Sequence, residues 1–296
     1  MMAEWFDGFW AIYSSVIFGI GINALLALSI YLTLSCGLLS LANAAFMGIG
    51  AYTAALITMQ TALPFPLALA AAAAAPALVA CLIGIPTLRL SGVYLAMATL
   101  GFGEVVRVIV LNLNFTGGPM GLNGIELKTE WYHIMLALVL VLLLLARLRA
   151  SKVGRAFEAI KEDEIAARLM GVNVAAYKLL AFVLGAMIAG LAGGLNAHYT
   201  FTIGPGNYGF ENAVDILTMA VFGGTASLLG PLIGSSTLSI LPELMHGLKD
   251  YRLAANGLIL IIVILYLPKG IWDPARLRQW RSAMRAATKK SLSEGA

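Results

Sequence analysis

Long apolar runs, separated by short polar or glycine-containing segments, dominate the chain. A helix needs about 20 mostly apolar residues to cross a bilayer. Gly223-Gly224 and Gly230-Pro231 interrupt the later runs, so a broken or re-entrant helix is an alternative for 212–247. The pattern predicts an all-α polytopic membrane protein with about nine transmembrane helices, within a range of roughly eight to ten. The runs lie near residues 10–33, 38–59, 65–86, 91–112, 131–148, 177–200, 212–227, 230–247 and 253–268.

The composition supports one membrane domain over residues 1–296. Charged residues make up 11% of the chain, hydrophobic residues make up 60%, and the mean hydropathy is +0.88. A soluble domain carries about 25% charged residues, so this composition excludes the soluble globular classes. No linker-like or low-complexity stretch divides the chain into separate units.

The distribution of Lys and Arg predicts the orientation in the membrane. These residues concentrate in the 147–178 connection and in a basic tail at about 270–296, whereas the 113–130 connection carries only Lys128. Basic short loops stay in the cytoplasm. We therefore expect the N-terminus outside and the C-terminus in the cytoplasm. The net charge of +4 then indicates contact with anionic membrane lipid rather than with nucleic acid.

The sixth apolar run is predicted to pack closely against neighbouring helices. Ala181, Gly185, Ala189, Gly193 and Ala197 recur every four residues and so share one helix face. In lipid, small residues stabilise helix association because they let two backbones approach. Gly185, Ala189 and Gly193 are the central packing candidates, and a second small stripe beside them predicts neighbours on two sides. The second stripe consists of Ala186, Gly190 and Gly194.

Two pairs of polar residues inside apolar runs are candidates for a pathway lining. Ser40 and Asn43 share the small face of the second run, and Glu104 and Arg107 lie one turn apart in the fourth. Polar and charged groups are costly in hydrocarbon, so they mark either function or internal pairing. Packing between helices explains Ser40 and Asn43 as well as a pathway does. For Glu104 and Arg107 we favour an i, i+3 ion pair over a substrate role.

The sequence offers no catalytic chemistry. It contains no G-x-x-x-x-G-K-[ST] phosphate loop, no H-E-x-x-H and no G-x-S-x-G. Cys36 and Cys81 lack metal-ligand spacing, and His133, His198 and His246 lie far apart. We therefore predict no catalytic residue, no bound metal and no cofactor on this chain. Repeated spans, small-residue helices and buried polar groups indicate transport instead.

One segment between two apolar runs is densely charged for so apolar a chain. It spans residues 154–173 and reads GRAFEAIKEDEIAARLMGVN. The pattern predicts a helix over 155–170, because Glu164 and Arg168 pair at i, i+4 and Gly171 can end the helix. The charged residues of the segment are Arg155, Glu158, Lys161, Glu162, Asp163, Glu164 and Arg168.

This helix would belong to a cytoplasmic loop at about 149–176. Phe157, Ile160 and Ile165 would give it some apolar surface. A short amphipathic helix fixed between two membrane spans can dock in the groove of a partner protein. A solvated surface loop is the alternative.

Several landmarks resemble one transporter family. Residues 151–199, SKVGRAFEAIKEDEIAARLMGVNVAAYKLLAFVLGAMIAGLAGGLNAHY, are similar to the cytoplasmic loop and following helix of ABC-transporter permeases of the branched-chain amino-acid uptake type. The resemblance covers about residues 20–275 and favours the permease type with S-L-x-x-A-A-F and T-G-G-x-x-G-L segments. The further landmarks, in family order, are GLLSLANAAFMGIGAYTAALI, TLGFGEVVRVIV, NFTGGPMGLNGI and AVFGGTASLLGPLIG.

The resemblance implies one cytoplasmic coupling helix that docks on an ATPase subunit. The family's E-A-A-x-x-x-G motif places its alanines on Ala166 and Ala167 and its glycine on Gly171. Its glutamate falls on Ile165, with Glu164 one place earlier, and the usual Gly-His pair of the second span is Ala42-Asn43 here. The docking candidates are Arg155, Glu158, Glu164, Ala166, Ala167, Arg168 and Gly171.

The resemblance also implies a function and a set of partners. It indicates a permease subunit of a bacterial ABC importer for branched-chain or related amino acids, in the inner membrane. The implied partners are a second permease, identical or homologous, two ATPase subunits that bind ATP and Mg, and a periplasmic substrate-binding protein. Permeases for amides, urea or aromatic acids share these landmarks, so the substrate stays open. A stand-alone secondary transporter and a membrane-embedded enzyme or scaffold are the rival hypotheses.

Overall fold

The computed structural model describes residues 2–61 and 63–244. Each of the first eight predicted spans contains a helix, while the predicted span 253–268 and the basic tail lie outside the described residues. Two short helices lie between the fifth and sixth spans, and one pair of two-residue strands joins two loops. The helices are α1 (Met2–Ser35), α2 (Asn43–Gln60), α3 (Phe65–Thr87), α4 (Val93–Asn112), α5 (Trp131–Ala150), α6 (Lys152–Glu162), α7 (Glu164–Leu169), α8 (Val174–Thr200), α9 (Phe210–Gly223) and α10 (Leu229–Leu244).

Five helices in the described residues are long and apolar enough to cross a membrane: part of α1, and α3, α4, α5 and α8. The other spans are shorter. The 14 residues of α9 reach about 21 Å at 1.5 Å per residue, less than the ~30 Å hydrocarbon core. A turn at 224–228 separates α9 from α10, with Gly224 at φ +98°. The interruption that the glycines predict is therefore present.

The centre of the bundle is α8, which lies against α1 and α2 on one side and α3 on the other. A Cβ on Gly193 would lie 2.0 Å from the Met47 carbonyl oxygen of α2, and one on Gly190 would lie 2.2 Å from the Ala72 oxygen of α3. Only glycine permits such an approach of two backbones. The two small stripes of α8 thus face two different neighbours.

Helices α4 and α5 leave much of their surface exposed, and both expose aliphatic side chains. In the middle of α5 these side chains form a surface that lipid contacts well. On α4 the exposed aliphatic residues, Val105, Val108 and Ile109, lie beside the Glu104–Arg107 ion pair, and this charged pair distinguishes the surface of α4. The exposed aliphatic residues of α5 include Leu136, Val139, Leu140, Leu143 and Leu144.

The T-G-G-x-x-G-L segment forms a compact turn at one end of the bundle, here called the β end. Gly117, Gly118 and Gly121 all have positive φ, which glycine adopts without strain. Strand β1 (Leu122–Asn123) then pairs antiparallel with β2 (Thr202–Ile203). A Cβ on Gly121 would lie 2.0 Å from the Ile203 carbonyl oxygen. The glycines of this motif therefore allow the loop to close on the segment after α8.

Candidate functional site

The charged segment at the opposite end contains two helices, not the single helix predicted over 155–170. Asp163 interrupts it with an extended backbone, φ −153° and ψ 111°. Its carboxylate accepts hydrogen bonds from the backbone N–H groups of Ile165 (2.8 Å) and Ala166 (3.0 Å). An aspartate in this position caps a new helix. The predicted coupling helix is thus divided into α6 and α7.

Helix α6 directs its apolar face into its own chain. Phe157 and Ile160 are buried, and the Phe157 ring meets the edge of Tyr177 on α8 with centroids 6.3 Å apart. The prediction that these two residues supply partner-facing surface is wrong, because the bundle itself covers them. Arg155 and Glu158 are exposed on the other face of α6.

Helix α7 directs apolar side chains outward. Ile165, Leu169 and Met170 are 74%, 84% and 84% exposed; we call these three residues the α7 tip. Gly171, at φ +82°, ends the helix and has open space where a side chain would be. The sequence analysis counted Ile165 as apolar surface of this segment but missed Leu169 and Met170. Their position directly before Gly171, a glycine that can end a helix, was the available signal.

The two alanines of the family motif differ in exposure. Ala166 is exposed, whereas Ala167 is buried against its own chain. Val172 folds back so that its N–H donates to the Ala167 carbonyl, 3.1 Å away. The interpretation of Ala167 as a surface for direct approach by a partner is therefore corrected: it seats α7 on the bundle.

Glu164 and Arg168 form the predicted i, i+4 pair, with 3.2 Å between Arg168 Nη2 and Glu164 Oε1. The other carboxylate oxygen of Glu164 bonds to Lys178 Nζ of α8 at 2.6 Å. In the sequence, Lys178 served only as one of the basic residues that predict the orientation in the membrane. No helical period links it to Glu164, which lies 14 residues earlier. The Glu164 carboxylate therefore turns toward its own chain.

Ser40 and Asn43 are buried at the same end as α6 and α7. Asn43 Nδ2 donates to Ser29 Oγ of α1 at 2.7 Å, and Ser40 Oγ accepts from the Ala42 N–H at 3.2 Å. Both side chains are thus bonded within the described protein. The Asn43 bond joins α2 to α1, whereas the Ser40 bond is local to the turn before α2.

Glu104 and Arg107 form the predicted ion pair, with 2.8 Å between Arg107 Nε and Glu104 Oε2. Their side chains are 35% and 37% exposed. Glu104 also lines a small cavity between α2, α4 and α9 that includes Tyr208 and Ala213. The pair therefore connects the exposed surface of α4 with the bundle interior.

The comparisons with known proteins agree with this architecture. The family described as "Branched-chain amino acid transport system / permease component" matches residues 12–267. The chain belongs to this permease family. It is a mostly helical, multi-pass membrane protein.

Individual relatives carry the same description. The permease is 33% identical to the high-affinity branched-chain amino acid transport system permease protein LivM of Salmonella typhimurium, over 88% of this chain and 68% of that protein. LivM of Escherichia coli matches over the same shares at the same identity. LivH of Escherichia coli is 36% identical over 42% of this chain and 41% of its own. No solved structure matches the chain.

Glu104→Gln is expected to leave substrate uptake by the permease within about fivefold of wild type. The amide can still accept a hydrogen bond from Arg107, and one such bond contributes only about 0.5–1.5 kcal/mol. Uptake into vesicles measures the effect, with Glu126→Gln in the 113–130 loop as the control. Complete loss of uptake by an intact Glu104→Gln protein would show that the charge takes part in transport.

Proposed function

We propose that this chain is the permease subunit of a bacterial ABC importer for branched-chain or related amino acids. It forms half of the pathway through the inner membrane and docks on an ATPase. The observation that supports docking most directly is the α7 tip, which has two exposed apolar side chains on the six-residue helix α7 and a third, Met170, directly after it.

The position of the tip argues for a soluble partner. The segment lies between two long apolar helices, α5 and α8, and carries exposed charges beside the tip, including Arg168 and Glu162. An apolar centre with a polar rim is the usual composition of a protein–protein interface. Burial of apolar surface contributes about 25 cal/mol per Å², so a partner that covers the tip gains affinity.

The exposed surface of α4 supports a second permease subunit. A charged side chain costs roughly 2.5–3.5 kcal/mol at the centre of a bilayer, so the partly exposed Glu104–Arg107 pair is unsuited to lipid. We assign α4 to the pathway and to the homologous second permease, and the aliphatic surface of α5 to lipid. Both LivM and LivH are named as permease proteins of a high-affinity system, in agreement with two related subunits.

The remaining partners follow from the permease role. Two ATPase subunits bind ATP and Mg and hydrolyse the nucleotide, since the sequence of this chain has no phosphate loop. A periplasmic binding protein delivers the substrate at the β end. This arrangement requires the N-terminus outside and the C-terminus and α7 in the cytoplasm, as the distribution of basic residues predicts.

Co-expression with the candidate partners tests the proposal. We expect the tagged chain to co-purify with an ATPase and a second permease, and the complex to hydrolyse ATP faster when binding protein and leucine are added. Single cysteines replacing Glu162 and Met120, both exposed, should label only from the cytoplasm and only from outside, respectively. Ion-driven uptake by the chain alone, without an ATPase, would instead support a secondary transporter.

A further inference from the structure

Glu164 joins the short helix α7 to the central helix α8. Its carboxylate contacts an exposed cation, Arg168, within α7 and a buried one, Lys178, in α8. The Lys178 side chain is 8% exposed, whereas that of Arg168 is 70% exposed. The bond to Lys178 is the shorter and the better shielded of the two, so it is the one that restrains α7 relative to α8.

The environment of Lys178 makes its pairing with Glu164 important. A buried ammonium group is stable only when an opposite charge and hydrogen bonds compensate the loss of hydration. The buried thiol of Cys36, just beyond the end of α1, lies in the electrostatic field of both Lys178 and Glu164. Burial raises the pKa of this thiol to about 12, so it stays neutral and does not supply the opposite charge. Glu164 supplies that charge.

The chain connection from α7 to α8 offers a second attachment. Met170 to Asn173 join the two helices, with the Gly171 backbone in the left-handed region. Asn173 Oδ1 accepts from the Ala176 N–H at 3.2 Å and so begins α8. The connection and the buried Ala167 hold α7 close to the bundle, and the Glu164–Lys178 bond adds a direct contact between side chains of α7 and α8.

The middle of α8, beyond Lys178 along the helix, is closely packed against its neighbours. The glycines of α8 bring it to backbone contact with α2 at Gly193 and with α3 at Gly190. Interiors packed in this way transmit displacement rather than absorb it. A displacement of α8 at Lys178 therefore moves α2 and α3.

We propose that Lys178 is a positioning residue that couples α7 to the membrane bundle through Glu164, so that movement of a docked ATPase reaches α8. The proposal rests on the proposed function. It assigns binding of the ATPase to the α7 tip and transmission to the Glu164–Lys178 bond. These are different residues, so binding and coupling are separable by mutation.

Lys178→Met tests the proposal, because methionine keeps an unbranched apolar stem and removes the charge. We expect ATPase co-purification to stay at the wild-type level, while leucine-stimulated ATP hydrolysis and uptake in vesicles fall roughly three- to thirtyfold, the range of coupling changes seen along connected residues. Lys178→Arg, which keeps the charge, should retain most of both activities. Arg89→Met, which removes an exposed cation from the turn between α3 and α4, is the control and should resemble wild type.

The charge exchange Glu164→Lys with Lys178→Glu extends the test to the case in which Lys178→Met fails to fold. Recovery of stimulated hydrolysis and uptake in the double variant, compared with either single exchange, supports the proposal. Wild-type stimulation in Lys178→Met overturns it, as does loss of ATPase binding in an intact Lys178→Met protein. Absence of ATPase binding and stimulation in the wild-type protein would contradict the proposed function itself.

Discussion

Gly193→Leu is expected to prevent the permease from assembling into a stable bundle. The Cβ alone would lie 2.0 Å from the Met47 carbonyl oxygen and 3.0 Å from the Ala51 nitrogen. Overpacking a core costs about 1–3 kcal/mol, occasionally more. Here the obstacle is the backbone of α2, which cannot rotate away as a side chain can, so we expect a cost at the upper end of that range.

The yield of monodisperse protein in detergent and its thermal transition measure this effect. Gly19→Leu is the matched control, since Gly19 also lies within an apolar helix, α1, but has no atom within 4 Å of its Cβ position. We expect the Gly19→Leu chain to purify like wild type. If Gly193→Leu were equally stable, the close contact between α2 and α8 would not exist in the folded protein.

The helices and their packing were predictable because both produce periodic signals. Within the described residues, apolar runs of sufficient length located eight helices to within about five residues, apart from the N-terminal extension of α1. The every-fourth spacing of Gly185, Ala189 and Gly193 predicted a helix with close neighbours. Steric exclusion acts locally along a helix face, so this information is present in the sequence. The identity of the neighbours, α2 and α3, is a property of the tertiary fold.

The division of the charged segment was less predictable. Helical spacing continues through residues 155–170, and Glu164 and Arg168 do pair as that spacing predicts. Asp163 nevertheless begins a new helix. The backbone N–H groups in the first turn of a helix have no carbonyl partner within the helix, and the Asp163 carboxylate accepts hydrogen bonds from two of them. An aspartate before Ile165 and Ala166 is a recognisable helix-start signal, but it competes with the continuous periodicity around it.

The inward and outward faces of α6 and α7 required the tertiary structure. Phe157 and Ile165 look equivalent as apolar positions in a charged segment, yet the first is buried against α8 and the second is 74% exposed. The break at Asp163 alters the direction of the chain between them. The contact between Glu164 and Lys178 was likewise hidden, since ion pairs 14 residues apart follow no helical period.

The combined substitution Leu169→Asp with Met170→Asp is expected to abolish ATPase binding while leaving the membrane bundle intact. Both side chains are 84% exposed, so their replacement removes little internal packing. In a docked complex each would contribute about 1.5–3 kcal/mol on full burial. A factor of ten in affinity corresponds to about 1.4 kcal/mol. Loss of either apolar side chain therefore lowers the affinity for the ATPase by about tenfold or more. The cost of removing water from each new aspartate lowers the affinity further.

The amount of ATPase recovered per tagged permease measures this effect, and the thermal transition of the permease alone reports on its fold. Leu127→Asp is the matched control, because Leu127 is a 67% exposed leucine in the loop nearer the β end and should keep full ATPase recovery. Lys178→Met should also keep full ATPase recovery, which separates the binding surface from the coupling residue. The docking proposal places the ATPase interface on the α7 tip. Full ATPase recovery with Leu169→Asp and Met170→Asp would therefore show that the interface lies on another surface. In that case the exposed charges of α6, Arg155 and Glu158, would be the next residues to replace.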